Sequence, residues 1–355
     1  MSVDTARRAV DIALSSPSAD IKIEFQGGEP LLNFSTVDFI TQYAKQSARR
    51  LGKSVTFVMA TNLSRATESV LDYCRLNNIQ ISTSLDGPKD LHNLNRPMTE
   101  GDSFDSVASG IETARKALGK YNVSALMTTT EHSLGRVREI IDTYVEMGFP
   151  GIFLRPLSPY GFAIKTRAYR KYDTRRWLEF YDEGLDYILE LNRKGLVFSE
   201  FYSSIILKKI LTPFSPGYVD LMSPSGIGIS GVIYNHDGGV YASDEGRMRA
   251  EMGDKTFYLG DVNSNSYAQI FTSDALLDPL ERSFSASVPM CSDCALEPFC
   301  GAEPVYHHAT QGDFVGLKPT SGFCERNTHV IERLIGILEG GGEEARILRQ
   351  WSVMC

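Results

Sequence analysis

Cysteine and tryptophan are scarce in this chain, with six and two among 355 residues. Disulfides from so few cysteines cannot hold a chain of this size, which has to bury an ordinary hydrophobic core instead. A basic excess is also missing. Acidic residues outnumber basic ones 44 to 36, for a net charge of −8, which gives no electrostatic ground for binding nucleic acid or an anionic membrane surface. No apolar run approaches the length of a membrane span, and the first residues lack the basic-then-apolar order of a secretory signal. Internal repeats and low-complexity tracts are absent as well. With 42% hydrophobic residues, the chain reads as a globular protein of one large core or two domains, and grouped thiols without an export signal place it in the reducing cytoplasm.

Set against that scarcity, four of the six cysteines fall within 34 residues: Cys291-x2-Cys294-x5-Cys300, then Cys324. Thiolates spaced so closely converge on one soft ion more readily than they pair. Spacing alone leaves the occupant open between a [4Fe–4S] cube and a structural zinc ion, since four thiolates suit both. Cys74 lies at helical spacing with Val70 and Leu71 and reads as a core thiol. Cys355 is terminal and reads as free.

Two periods alternate in the first half. Runs of strand character occur at 21–25, 55–60, 79–84, 123–128 and 151–156, and amphipathic helical patterns lie between them. Val37, Ile40, Ala44, Ala48 and Leu51 share one face before a stop at Gly52. Val107, Ile111 and Ala114 form a second face, and the stretch from Leu134 to Val145, ended by Gly148, a third. Five strands alternating with helices predict a parallel α/β sheet, open or curled into a barrel, with its chemistry at the C-terminal strand ends. Residues 1–15 already form a helical pattern with no strand before it, so the chain reads as a barrel lacking its first strand. A helix is predicted over 174–193. After about Pro213 the texture turns to short strands and glycines, with Asp237-Gly238-Gly239 as a hairpin turn. These readings divide the chain into 1–212, 213–340 and a mobile tail, 341–355.

The first of those strands runs into Gln26-Gly27-Gly28-Glu29-Pro30. Two glycines leave the backbone free to approach a ligand, and proline fixes the exit from the turn. As a bare string this is equally a tight strand-to-helix turn.

Taken whole, Glu24-Phe25-Gln26-Gly27-Gly28-Glu29-Pro30-Leu31-Leu32 resembles the S-adenosylmethionine-binding motif of radical S-adenosylmethionine enzymes, especially peptide maturases such as the anaerobic sulfatase maturases. Ser84-Leu85-Asp86-Gly87-Pro88 with His92 and Arg96 resembles a segment after a later barrel strand of that group. The cysteine quartet resembles its auxiliary-cluster domain, called SPASM or, in a shorter form, twitch. The segments 291–308 and 319–324 are most similar to the maturase of His-Xaa-Ser repeat peptide systems. The resemblance implies a partial (β/α)6 TIM-like barrel lacking its first strand, joined to a small loop-rich iron–sulfur domain. It implies hydrogen-atom abstraction from a peptide by a 5′-deoxyadenosyl radical, with a peptide substrate, a possible partner maturase and an electron donor.

The resemblance assigns roles residue by residue. Gln26, Gly27, Gly28, Glu29 and Pro30 would hold S-adenosylmethionine, Asn62 and Ser84 match positions that contact its ribose, and Arg155 would pair with its carboxylate. As isolated residues, Asn62 and Ser84 are equally turn caps, Gln26 a solvated strand end, and Arg155 one half of a surface ion pair. Asp244 matches an aspartate proposed as a base, or simply caps a turn. Cys291, Cys294, Cys300 and Cys324 would hold one auxiliary [4Fe–4S] cluster. The ligands of a second auxiliary cluster are replaced together, by Ser243 before Asp244 and around Pro304, and have no counterpart within 226–231. The Cys-x3-Cys-x2-Cys loop that ligates the cofactor-cleaving cluster is likewise without a counterpart, since the first cysteine is Cys74. The 355 residues are therefore expected to lack radical initiation. The alternatives are a non-catalytic peptide- or S-adenosylmethionine-binding module and a zinc-stapled scaffold.

Overall fold

Residues 1–160 and 174–353 are described by a computed structural model of the protein, and their contacts divide into two units. The first comprises Met1–Met127 with Tyr234–Gly239 and Asp261–Tyr267. Its centre is a parallel sheet of β1 (Asp20–Phe25), β2 (Ser54–Ala60), β3 (Ile79–Ser84) and β4 (Val123–Leu126), in the order β1-β2-β3-β4. Helices α1 (Val3–Leu14), α2 (Phe34–Leu51), α3 (Glu68–Asn77), α4 (Lys89–Asn95) and α5 (Ser103–Leu118) connect or precede these strands. The apolar runs read as strands are buried: Phe57, Met59, Ile79 and Ile81 are almost without accessible surface, and Phe25 stacks on Phe57. The Ser2 hydroxyl accepts from the Thr5 amide to start α1, and Gly52 closes α2 in the left-handed conformation. Helix α3, capped by Thr67, buries Cys74 completely, and burial pushes that thiol up to about 11.

Parallel register brings the C-terminal strand ends to one edge. Phe25 pairs with Met59, Ala60 with Ser82, and Ser84 with Leu126. The Asp86-Gly87-Pro88 segment leaves that edge as a rigid strap. Asp86, 1% exposed, accepts two hydrogen bonds from Arg96 at 2.7 and 3.2 Å, and its own amide donates to His92 Nδ1. A bidentate pair on a buried carboxylate fixes geometry as well as charge.

The second unit comprises Thr128–Ile233, Val240–Gly260 and Ala268–Cys355, so the expected boundary at 212–213 lies inside it. Helix α6 (Val137–Glu146) starts three residues later than the periodicity indicates, and β5 is confined to Gly151–Ile152, paired in parallel with β6 (Ser199–Glu200). The helix Thr174–Arg193 forms as read, burying Trp177, Tyr181, Leu185, Ile188 and Leu189. Glu200 is wholly buried. Its oxygens accept from the amides of Leu154, Tyr202 and Ser203 and from the Tyr181 hydroxyl, tying β5, two helices and β6 together.

The tail expected to be mobile is instead a helix, Gly342–Trp351, whose Ala345, Leu348 and Trp351 are buried. It packs on Thr174–Arg193, Phe201–Leu211 and Gly322–Gly340. The Gly340-Gly341-Gly342 run marks only the break between two helices. Farther back in the chain, β7 (Ile233–Tyr234), β8 (Gly239–Tyr241) and β9 (Tyr258–Asp261) form a three-stranded sheet. The turn at 237–239 is as expected, with the Asp237 carboxylate accepting from the Gly239 amide. Among the described residues no helix is long and apolar enough to cross a membrane. Cys355 lies outside the described residues.

Candidate functional site

At the sheet edge of the first unit, the glycine turn is built around Glu29. One carboxylate oxygen accepts from its own Leu31 amide at 3.1 Å and from the Thr61 hydroxyl at 2.6 Å, and the other accepts from the Asn62 amide at 2.9 Å. The side chain therefore ties the end of β1 to the end of β2. Gly27 has φ of 131°, which excludes other residues. A Cβ at Gly28 would meet nothing within 4 Å, so packing does not demand glycine there and the backbone lies bare above the turn. That open backbone, beside exposed Asn62 and half-buried Ser84, fits a ligand that contacts main-chain groups. Gln26 is exposed and donates to Glu24. Glu29→Ala leaves three donors without their acceptor and is expected to lower stability by about 2 kcal/mol, read as a lower urea midpoint at unchanged slope. An unchanged midpoint would remove Glu29 from its place as the tie.

The cysteine quartet belongs to the second unit. Cys291, Cys300 and Cys324 are half-buried and Cys294 is exposed, and none forms a disulfide. Burial is the main force raising Cys291 and Cys300, the latter to about 11. Cys324 and Cys294 add to the first, and Cys324 and Cys291 to the second. Thiols that raise one another are neighbours, and such mutual repulsion is relieved by a shared cation. Among the described residues no three His, Cys, Asp or Glu side chains close into a ligand set around an ion. In number and type the four thiols match the donor set of a metal or cluster, and Cys291 and Cys300 feel the charge of the other thiols.

The loop that carries these thiols is fixed from outside. Lys209 donates to the carbonyls of both Leu221 and Cys300, and the Ala302 amide donates to Met222 O at 3.0 Å. A Cβ on Gly301 would lie 2.3 Å from the Asp220 carbonyl oxygen and 2.4 Å from Leu221 Cα, so only glycine lets the loop close on that turn.

The turn Val219–Leu221 belongs to a cluster of charged side chains, the charged recess, all in the second unit. Arg155 approaches Glu245 at 3.8 Å and also feels the charges of Asp220, Asp244 and Tyr218. Asp244 sits in the first turn of the helix Asp244–Ala250, where its carboxylate accepts from Arg247 at 3.0 Å. Ser243 accepts from the Gly246 amide as the cap of that helix. Deeper lies Glu303, 7% exposed, which accepts from Tyr160 OH at 3.2 Å and from the Tyr306 amide. Burial, then Asp220 and Glu245, push Glu303 well above the usual carboxylate range. Of the residues assigned from sequence, Arg155 and Asp244 lie in the same charged cluster, where Arg155 pairs with Glu245 and feels the Asp244 charge, and the cysteines influence one another electrostatically. Gln26, the Gly27–Pro30 turn, Asn62 and Ser84 share the strand-end edge of the first unit.

No protein-family model matches the chain. An uncharacterized protein of Methanothermobacter thermautotrophicus is 29% identical over 195 residues, 54% of this chain and 68% of that protein. The cysteine-type anaerobic sulfatase-maturating enzyme of Clostridium perfringens is 24% identical over 303 residues, 81% of this chain and 74% of the enzyme. Among solved structures, native anSMEcpe with bound AdoMet superposes with a TM-score of 0.77 at 19% identity, covering 96% of this chain and 90% of the other. The same protein with bound AdoMet and the Kp18Cys peptide gives 0.75. By sequence and by fold, the chain is homologous to the anaerobic sulfatase-maturating enzymes.

Beside that homology to the sulfatase-maturating enzymes stands a group of residues that sequence reasoning missed: Thr61, Lys209, Asp220, Glu245 and Glu303. Glu303 lies three residues after Cys300 and next to Pro304, in a segment that sequence reasoning had already singled out, so a signal existed for it. Asp220 follows an unremarkable Tyr-Val and offered none.

Proposed function

We propose that the chain serves a radical S-adenosylmethionine peptide maturase, acting in the cytoplasm. The observation that carries this reading is the Glu29-tied glycine turn at the C-terminal edge of a parallel sheet, in a chain whose fold matches structures holding AdoMet. In this reading Gly27–Pro30, Asn62 and Ser84 hold S-adenosylmethionine, and Cys291, Cys294, Cys300 and Cys324 hold one [4Fe–4S] cluster. Arg155 pairs with a carboxylate, as the resemblance assigns it to that of the cofactor. The bound cofactor supplies a hydrogen-abstracting radical. The chain's own residues place the peptide, keep water from the site, and let Asp244 take a proton. The substrate is proposed to be a peptide, after the relative whose structure holds one, with His-Xaa-Ser repeats as the first to try.

Within these 355 residues no thiol triad is available to anchor the cofactor, and the four grouped thiols suffice to close a cube by themselves. Incubation with dithionite and S-adenosylmethionine is therefore expected to give no 5′-deoxyadenosine from the 355-residue polypeptide. A version extended by a strand and a Cys-x3-Cys-x2-Cys loop is expected to give it over many turnovers, scored by chromatography. Turnover by the shorter polypeptide would overturn the assignment of roles. Silence from both, with S-adenosylmethionine still bound, would favour the non-catalytic binding module.

A further inference from the structure

We propose that Asp220 is a second acid–base residue of this site, accepting a proton from the peptide group that is modified. The inference rests on the maturase reading and deepens it. Each other carboxylate of the recess is engaged: Asp244 by Arg247, Glu245 by Arg155, and Glu303 by Tyr160 and the Tyr306 amide. Among the described residues the Asp220 carboxylate has neither a hydrogen bond nor an ion pair. It is surrounded by protein yet keeps part of its surface accessible. Among the described residues nothing is hydrogen-bonded to either of its oxygens.

The backbone beneath it is held firmly. The Gly226 amide donates to Val219 O at 3.1 Å, the Leu221 amide to Tyr218 O at 3.0 Å, and Lys209 to Leu221 O at 2.7 Å. Gly301 closes the remaining side. A base on a fixed turn keeps its direction when substrate arrives, which is the condition for efficient proton transfer. The step itself is simple: one X–H bond of the peptide breaks, its electron pair stays on X, and one O–H bond forms on Asp220.

The surroundings also suit the task. Burial first, then the Glu245 charge, push Asp220 up to about 7, while Arg155 and Arg326 pull it down. Its charge is felt in turn by Glu303, Tyr160, Tyr202 and Tyr218. A carboxyl raised to that range is protonated below pH 7 and accepts above it, so modification should rise as pH passes upward through about 7.

Two measurements test this. The first is pH-difference infrared spectroscopy of the 355-residue protein. A carboxyl band is expected to titrate near pH 7 and to vanish in Asp220→Asn, with circular dichroism confirming the fold. A band retained in that variant, or none near neutrality in the parent, would overturn the proposal. The second uses the extended protein with a synthetic cysteine-containing peptide. Asp220→Asn is expected to leave 5′-deoxyadenosine formation intact while modified peptide per 5′-deoxyadenosine falls by a factor of about 100. Asp220→Glu should restore part of it and shift the pH profile. Unchanged coupling in Asp220→Asn overturns the role, whereas absence of 5′-deoxyadenosine from the parent counts against the maturase reading and leaves the infrared band to decide Asp220.

Discussion

Cys300→Ser is expected to drop bound iron from about four atoms per chain, the content of one cube, to near zero in anaerobically reconstituted protein. Of the four proposed ligands, Cys300 is the one whose surroundings are most fully built. Its carbonyl accepts from Lys209, its amide donates to Leu296 O at 3.0 Å, and burial raises its thiol to about 11. A serine hydroxyl is a far poorer ligand for iron than a thiolate, and its neighbours Cys291 and Cys324 cannot supply a fourth sulfur. Cys74→Ser should keep the iron, since that thiol is buried in α3 of the other unit. Iron, sulfide and zinc analysis reads the outcome. Stoichiometric zinc without sulfide in native protein would replace the cluster by a zinc staple. Iron retained by Cys300→Ser would remove Cys300 from the ligand set.

Glu200→Ala is expected to cost on the order of 3–5 kcal/mol, the scale for breaking a buried charged network. Four donors converge on this carboxylate: the amides of Leu154, Tyr202 and Ser203 and the hydroxyl of Tyr181. Alanine leaves all four buried without an acceptor and opens a cavity besides. Glu200→Gln keeps the volume, but its NH2 faces two donors in place of an acceptor oxygen, so it should recover only part of the loss. Because Leu154 precedes Arg155, the damage should extend to the charged recess. Urea unfolding measures the effect, and a shift no larger than that of Tyr181→Phe would show that the carboxylate is not the centre of the network.

The sheet was legible because short strand-like stretches recur between helical periods: in β1, β2 and β4 more buried residues alternate with more exposed ones, the period of two that marks a strand, while β3 is buried nearly throughout. The glycine turn and the cysteines were legible because their spacing is local. The helix Phe201–Leu211 was not. Its sequence, Phe-Tyr-Ser-Ser-Ile-Ile-Leu-Lys-Lys-Ile-Leu, has no clear polar face, and its cap is the acceptor-rich Glu200 in place of the usual serine or threonine. The last helix was hidden by three glycines that suggest a loose end, although Ala345, Leu348 and Trp351 recur at intervals of three. The recess was least legible of all. Arg155, Asp220, Glu245 and Glu303 come from four separate segments, and an isolated carboxylate in a loop has no period to betray it.

Lys209 spans two carbonyls, and Gly301 sits flush against the turn it faces. These contacts are made entirely by protein groups and hold one limb of the cysteine loop. The freedom of that limb is lost during folding, so an arriving ion has fewer residues left to order and less conformational entropy to overcome. Uptake should then resemble completion of a half-built vessel more than the coupled folding of a zinc finger, with affinity governed chiefly by the exposed limb that carries Cys294.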